Sequence, residues 1–150
     1  NAAYLSGDGY HADITSHVRH GAPSCVTRQV TKGAVMAGGT GVFQGKFLVP
    51  RTNGQHTDAD MQHQALLLEE GATVFAKPEL EIYADDVECA HGNTSGALDA
   101  DQLFYMRQRG IPLAQARALL TEAFIADALE EASPPVYAAL REAASVWLAT

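Results

Sequence analysis

The sequence predicts a mainly β chain wound as a parallel β-helix and followed by a small C-terminal α-helical domain. Three observations predict this. Up to about residue 98, apolar residues alternate in short runs broken by Gly-bearing corners, the period of half-buried strands. From Asp99 onward the spacing changes to the three-and-four period of helices. Finally, HGAPS at His20 returns as HGNTS at His91, 71 residues later, which is about three coils of ~24 residues if the chain winds as a stack. So many short strands also suit a sandwich, and the echo favours the stack.

Taken in order, residues 1–20 are polar and His-bearing, with a weak alternation in Ala12, Ile14 and Val18. Val26, Arg28 and Val30 then alternate with Thr27, Gln29 and Thr31, and Lys32-Gly33 reads as a turn before a short strand at Val35 and Ala37. After the corner at residues 38–41, Phe43, Gly45, Phe47 and Val49 fall on one strand face. Residues 55–64 read as a polar loop leading into a buried strand at residues 65–68, and Ala72, Val74 and Ala76 alternate after Gly71. In residues 77–96, Leu80, Ile82 and Ala84 alternate with Glu79, Glu81 and Tyr83, and residues 84–86 form a corner. Val87, Cys89 and His91 then share a face, with the thiol and imidazole rooted roughly 6–7 Å apart.

Asp99 and Gln102 resemble a capping box at the start of a helix near residues 100–109, and Gly110 is a left-handed stop. Pro112 starts a second helix, with an apolar stripe of Leu113, Ala116, Leu119, Leu120, Ala123 and Phe124. Ser133 caps a third with Pro134 at its first position, and Leu140, Ala144, Trp147 and Leu148 form its stripe. The predicted division is therefore residues 1–98, the C-terminal part of a β-helix core, and residues 99–150, the helical domain.

A chain of 150 residues, 47% of them hydrophobic, can bury a core as one domain with a small appendage. Its net charge of −8 and ten dispersed Lys and Arg argue against a nucleic-acid or anionic-membrane surface and leave a protein partner as the expectation. Cys25 and Cys89 have no CxxC spacing, so no disulfide framework is predicted and a reducing, cytoplasmic setting fits. No apolar run approaches the ~20 residues of a membrane span. The start, NAAYLSGDGY, has neither an initiator Met nor a signal pattern, and the expectation is a C-terminal piece of a longer chain whose upstream half is missing.

The run KPELEIYADDVECAHGNTSGALDADQLFYMRQRGI with AQARALLTEAF after it resembles the C-terminal signature of the SufB/SufD family of the SUF iron–sulfur cluster assembly system. HGAPSCVTRQVTKGAV, GVFQGKFLV and TDADMQHQALLLEEGA resemble the stretches that precede that signature, so the similarity covers about residues 17–126. It is closer to the SufD branch, because the SufB branch has a Glu-His-Glu-Ala run in place of Cys-Ala-His-Gly. The chain departs from the family pattern at Ala90, Asn93 and Ser95, where AHGNTSG stands for SHGATVG, and at His63, where the family more often has Asn. The resemblance implies a right-handed parallel β-helix with a C-terminal helical domain, acting as a non-catalytic scaffold. It implies pairing with a SufB-like subunit through the β-helix and binding of a SufC-like ATPase through the helices. No tightly bound cofactor is expected, only a transient iron or iron–sulfur cluster at the interface, where the family's Cys-x-His position falls on Cys89 and His91.

His91 is thus the candidate iron or cluster ligand, since neutral imidazole suits iron, against a plain corner histidine hydrogen-bonded to a turn. Cys89 reads either as an interface thiol or as a small core residue, and core is the reading for Cys25. His56, Asp58, Asp60 and His63 resemble a metal cluster on paper, the first three on one strand face, and equally resemble a solvated loop. Phe104, Arg107, Arg109 and Phe124 are the candidate partner contacts, although cations near a helix end are stabilised by the helix dipole anyway. Two other classes compete. One is a β-helix metalloenzyme of the γ-carbonic anhydrase kind, which the absence of a hexapeptide repeat opposes; the other is a β-helix that only dimerises to cover its open edges, and an isolated SufD-like chain could also form a homodimer.

Overall fold

The computed structural model describes residues 1–148. Seven strands come first: β1 (Ala2–Ser6), β2 (His11–Arg19), β3 (Val26–Val35), β4 (Thr40–Val49), β5 (Asp58–Leu67), β6 (Thr73–Ile82) and β7 (Glu88–Gly96). Successive strands go to opposite sheets, in the orders β1-β3-β5-β7 and β2-β4-β6, and every pairing is parallel. Parallel neighbours need a crossover rather than a hairpin, and here the crossover is the strand of the other sheet. The result is a parallel β-solenoid of about three turns, followed by the helices α1 (Ala100–Gln108), α2 (Leu113–Asp127) and α3 (Pro134–Leu148).

The register corrects the expected coil length. Ala2 pairs with Thr31, Val26 with Asp58 and Asp58 with Glu88, so one coil takes about thirty residues rather than ~24. HGAPS and HGNTS are not a repeat, because His20 follows β2 of one sheet whereas His91 lies inside β7 of the other. The stacked feature is a corner: Gly9, Gly38 and Gly71 all have positive φ, and the amides of Gly9 and Gly38 donate to the carbonyls of Gly38 and Gly71.

Several strands are longer than expected. β1 arises from the polar start, β3 continues through Lys32-Gly33 without a turn, and β5 begins at Asp58 inside the stretch expected to be loop. In each case polar residues are built into the inward face, where Ser6 of β1, Thr31 of β3 and His63 of β5 are buried, so hydropathy alternation alone does not mark these strands. Phe43, Phe47 and Val49 of β4 and Ala59, Met61, His63 and Ala65 of β5 are all buried. Phe43, Phe47, Ala59 and Met61 form the central cluster, flanked by Ile14, Val18, Ala76, Leu80 and Cys89. Each buried Phe contributes on the order of 1.5–3 kcal/mol to the fold. Pro78 sits in β6, an edge strand, the position where a missing N–H costs least.

The helical segments begin as expected. Asp99 caps α1 by accepting from the amides of Asp101 and Gln102, and Gly110 (φ 82°) ends it with the paired bonds Gly110 to Arg107 and Ile111 to Met106. The stripe of α2 is met in part: Ala116 is buried and Phe124 packs inward as expected, but Leu113, Leu119 and Ala123 are exposed, and Thr121 and Ile125 are buried in their stead. That face turns toward the outside of the β1-β3-β5-β7 sheet, where Ala34 and Leu66 pack with Ile125 and, from α3, Ala144. Lys32 reaches from β3 to Asp127, and Arg117 of α2 donates to the carbonyl of Leu68 just after β5.

Candidate functional site

β7 is the last strand of its sheet. It pairs with β5 on one side and, among the described residues, with no strand on the other, and β6 ends the second sheet in the same way. Ala59 is in register with Cys89, Met61 with His91, and His63 with Asn93. Partners in a parallel ladder point to the same side, so Cys89, His91 and Asn93 continue the inward row of Ala59, Met61 and His63. No further coil lies over them among the described residues. His91 and Asn93 are accordingly exposed, while Cys89 is half-buried against the central cluster.

Cys89 and His91 are two residues apart on this uncovered row, about 6–7 Å at their roots. Burial, with a smaller contribution from the Asp58 charge, pushes the Cys89 thiol up, and a hydrogen bond involving the Ala59 backbone pulls the other way. The thiol is therefore protonated near neutral pH, and a metal or a partner cation is needed to turn it into a thiolate.

Beneath the row lies a buried polar line that alternation alone did not mark as interior. His63 is 0% exposed; its Nδ1 is 2.6 Å from Oδ1 of Asn93 and its Nε2 is 3.0 Å from the Tyr4 hydroxyl. Its ring stacks on Phe43, with centroids 4.6 Å apart. Burial lowers the His63 pKa, opposed by the Asn93 hydrogen bond, and pushes the Tyr4 phenol up to about 12. The available signal was the period-two series Ala59, Met61, His63, Ala65, which an imidazole in the third place disguises.

The paper cluster of His56, Asp58, Asp60 and His63 does not assemble. His56 lies before β5 at φ 58° and pairs with Asp86, Asp58 pairs with Arg28, Asp60 accepts from Gln62, and His63 points to the opposite face. No group of three or more His, Cys, Asp or Glu fit to hold a metal occurs among the described residues. Cys25 is not in the core: its Sγ donates to the carbonyl of Ala22 over 3.0 Å in the loop before β3. Of the candidate partner contacts, Phe104 is 63% exposed and Arg107 is exposed beside it on α1. Arg109 folds back over Tyr105. Phe124 is turned inward, packed on the sheet-facing cluster and beneath the Lys32 ammonium. No helix among the described residues is long and apolar enough to cross a membrane.

A parallel β-solenoid with helices strapped to one flank, and with an imidazole and an amide exposed on the inward row of β7 beside a half-buried thiol, defines a protein of the β-solenoid class. Sequence comparison makes this particular. The family model described as SUF system FeS cluster assembly, SufBD core domain, matches residues 1–124, and the chain belongs to that family. It is 40% identical over 118 residues to the iron–sulfur cluster assembly protein SufD of Escherichia coli, covering 79% of this chain and 28% of that protein. It is also 40% identical over 121 residues to a SufBD family protein of Synechocystis, covering 81% of this chain and 26% of the relative. A chloroplastic protein of Arabidopsis thaliana, ABCI7, is 40% identical over 120 residues, with 79% and 25% covered. The chain thus spans about a quarter of the length of these relatives.

Proposed function

We propose that the chain is part of a non-catalytic scaffold subunit for iron–sulfur cluster assembly in the cytoplasm, with Cys89 and His91 at the place where the nascent cluster forms. The observation that carries this reading is the uncovered inward row of β7: an exposed imidazole two residues from a thiol, on a strand whose outer edge is unpaired. An unpaired edge is a template for another strand, so a SufB-like subunit docks end to end on β6 and β7 and closes the row against its own residues. Iron or a forming cluster is cargo in this scheme, held transiently between the two chains. Two free cysteines fit a reducing compartment.

In the same reading α1 offers the contact for a SufC-like ATPase. Phe104 and Arg107 are exposed there, whereas Phe124 is engaged with the solenoid. Deleting the helices would strip the cover from Ala34 and Leu66, so point substitutions are the cleaner test. Phe104→Ala with Arg107→Glu should abolish co-purification with the ATPase from the same source and leave the circular dichroism spectrum unchanged. Retention of the ATPase by this double variant would place the contact elsewhere.

A further inference from the structure

Tyr4, His63 and Asn93 belong to three different coils and meet in one line of hydrogen bonds through the solenoid interior. Oδ1 of Asn93 can only accept, so the 2.6 Å contact puts the proton on Nδ1 of His63. Nε2 then carries the lone pair and accepts from the Tyr4 hydroxyl over 3.0 Å. The ring has little freedom to turn: it is 0% exposed and lies parallel to Phe43 within 2°. Tyr4 is equally fixed, because its ring fills the space that a Cβ would need at both Gly33 and Gly41.

The consequence falls on Asn93. An exposed Asn on an edge strand ordinarily rotates freely, but here its oxygen is committed inward. Its two N–H donors are left at the open end, where they reach no acceptor among the described residues, on the same row as His91 and about 6–7 Å from it at the root.

We propose that Asn93 is a further binding residue of the open end, donating from Nδ2 to a sulfur anion held beside His91, with Tyr4 and His63 as the residues that position it. This rests on the cluster-assembly reading and names the chemistry the row recognises. Hydrosulfide is an anion that an N–H donor can hold where no carboxylate stands beside it, and N–H donors to sulfur are a recognised means of tuning an iron–sulfur centre. A neutral amide supplies the donor in a chain whose net charge is −8.

The test follows the Asn93 side-chain amide signal of the ¹⁵N-labelled full chain during titration with sodium hydrosulfide, with sodium chloride as the control anion. A saturable shift of the Nδ2 protons is expected with hydrosulfide and none with chloride. Tyr4→Phe keeps the ring in its glycine slot and removes one bond of the line, so binding should weaken about five-fold. Asn93→Asp keeps an acceptor for Nδ1 of His63 and loses the donors. It should preserve the Nδ1-protonated tautomer, read from the imidazole ¹⁵N shifts, and abolish the hydrosulfide response. An equal response to chloride, no response of Asn93, or undiminished hydrosulfide binding by Asn93→Asp overturns the proposal. Failure of the underlying reading shows separately, as full cluster yield from His91→Ala. Deficient yield from His91→Ala with a silent Asn93 rejects the Asn93 role alone.

Discussion

Lys32 of β3 and Asp127 at the last turn of α2 form an ion pair that fastens the helices to the solenoid, with the Lys32 ammonium also 4.6 Å from the centre of the Phe124 ring. The pair is lopsided: the Lys32 side chain is 9% exposed and that of Asp127 57%. Loss of Asp127 therefore strands a nearly buried cation, whereas loss of Lys32 leaves a carboxylate already in water.

Asp127→Ala should accordingly cost more than Lys32→Met. The first lies between the ~0–1 kcal/mol of a surface pair and the ~3–5 kcal/mol of a broken buried one, at about 2 kcal/mol. The second replaces the stem with an apolar side chain of similar length and should cost under about 1 kcal/mol. Urea midpoints of the two variants decide the matter, and the reverse order would mean that the cation is solvated through a path the packing does not reveal.

Gly33 is required by the Tyr4 ring and not by backbone conformation. A Cβ on Gly33 would enter the space occupied by that ring, whereas one on Gly96 would meet nothing within 4 Å. Gly33→Ala is expected to destabilise the chain by about 1–3 kcal/mol through overpacking, and Gly96→Ala to be nearly silent. Adding Tyr4→Ala to Gly33→Ala should produce a non-additive result, because the clash disappears with the ring. Simple additivity in thermal melts would argue that Tyr4 does not occupy this slot.

How much of this was legible in the sequence depended on the face. Phe43, Gly45, Phe47 and Val49 alternate cleanly and all lie inside as read. The capping Asp99 and the stopping Gly110 were equally plain, since a side-chain acceptor and a positive φ are local requirements. The coil length was not legible, because the true repeat is the single glycine of each corner, Gly9, Gly38 and Gly71, and one residue per thirty is no pattern without a register. His63 was misplaced for a related reason: its imidazole is inside only because Tyr4 and Asn93, each at least thirty residues away in sequence, satisfy both its nitrogens. The α2 stripe was right at Ala116 and Phe124 and wrong at Leu119 and Ala123, which satisfy the helical period without facing the sheet.

The same buried imidazole sets an acid limit on stability. Burial lowers the folded pKa of His63 below its ordinary value of 6.5, so protons bind the unfolded chain better. Its contribution is complete above pH 6.5 and is lost as pH falls through the depressed folded value. Asp58, lowered by Arg28 from 3.8, loses its contribution only further down, so the two effects are separable. Tyr4 acts at the other end: raised from 10.0 to about 12, it contributes fully below pH 10.0 and loses that contribution as pH rises through about 12. Urea midpoints between pH 7.5 and 5 should fall in the parent chain and fall less in His63→Gln. Parallel curves for the two would show that His63 does not titrate with folding.

Cys89 and His91 should part company under substitution, although they are neighbours on one row. Cys89 packs against the central cluster that holds Phe43 and Met61, so Cys89→Ala removes a half-buried sulfur and should cost about 1 kcal/mol of stability. His91 is exposed beyond Met61 and lies over no other coil, so His91→Ala should leave the melting temperature within about a degree or two. Function should invert that ranking. An imidazole at the open end is available to iron as it stands, while the raised thiol has first to lose its proton, so cluster yield from the assembled complex should fall most with His91→Ala. The thiol should also react slowly with iodoacetamide at pH 7 in the isolated chain, and faster as the pH is raised toward its elevated pKa. A His91→Ala variant that melts well below the parent would assign the residue to the fold, and one that assembles clusters at the parent's yield would remove it from the site.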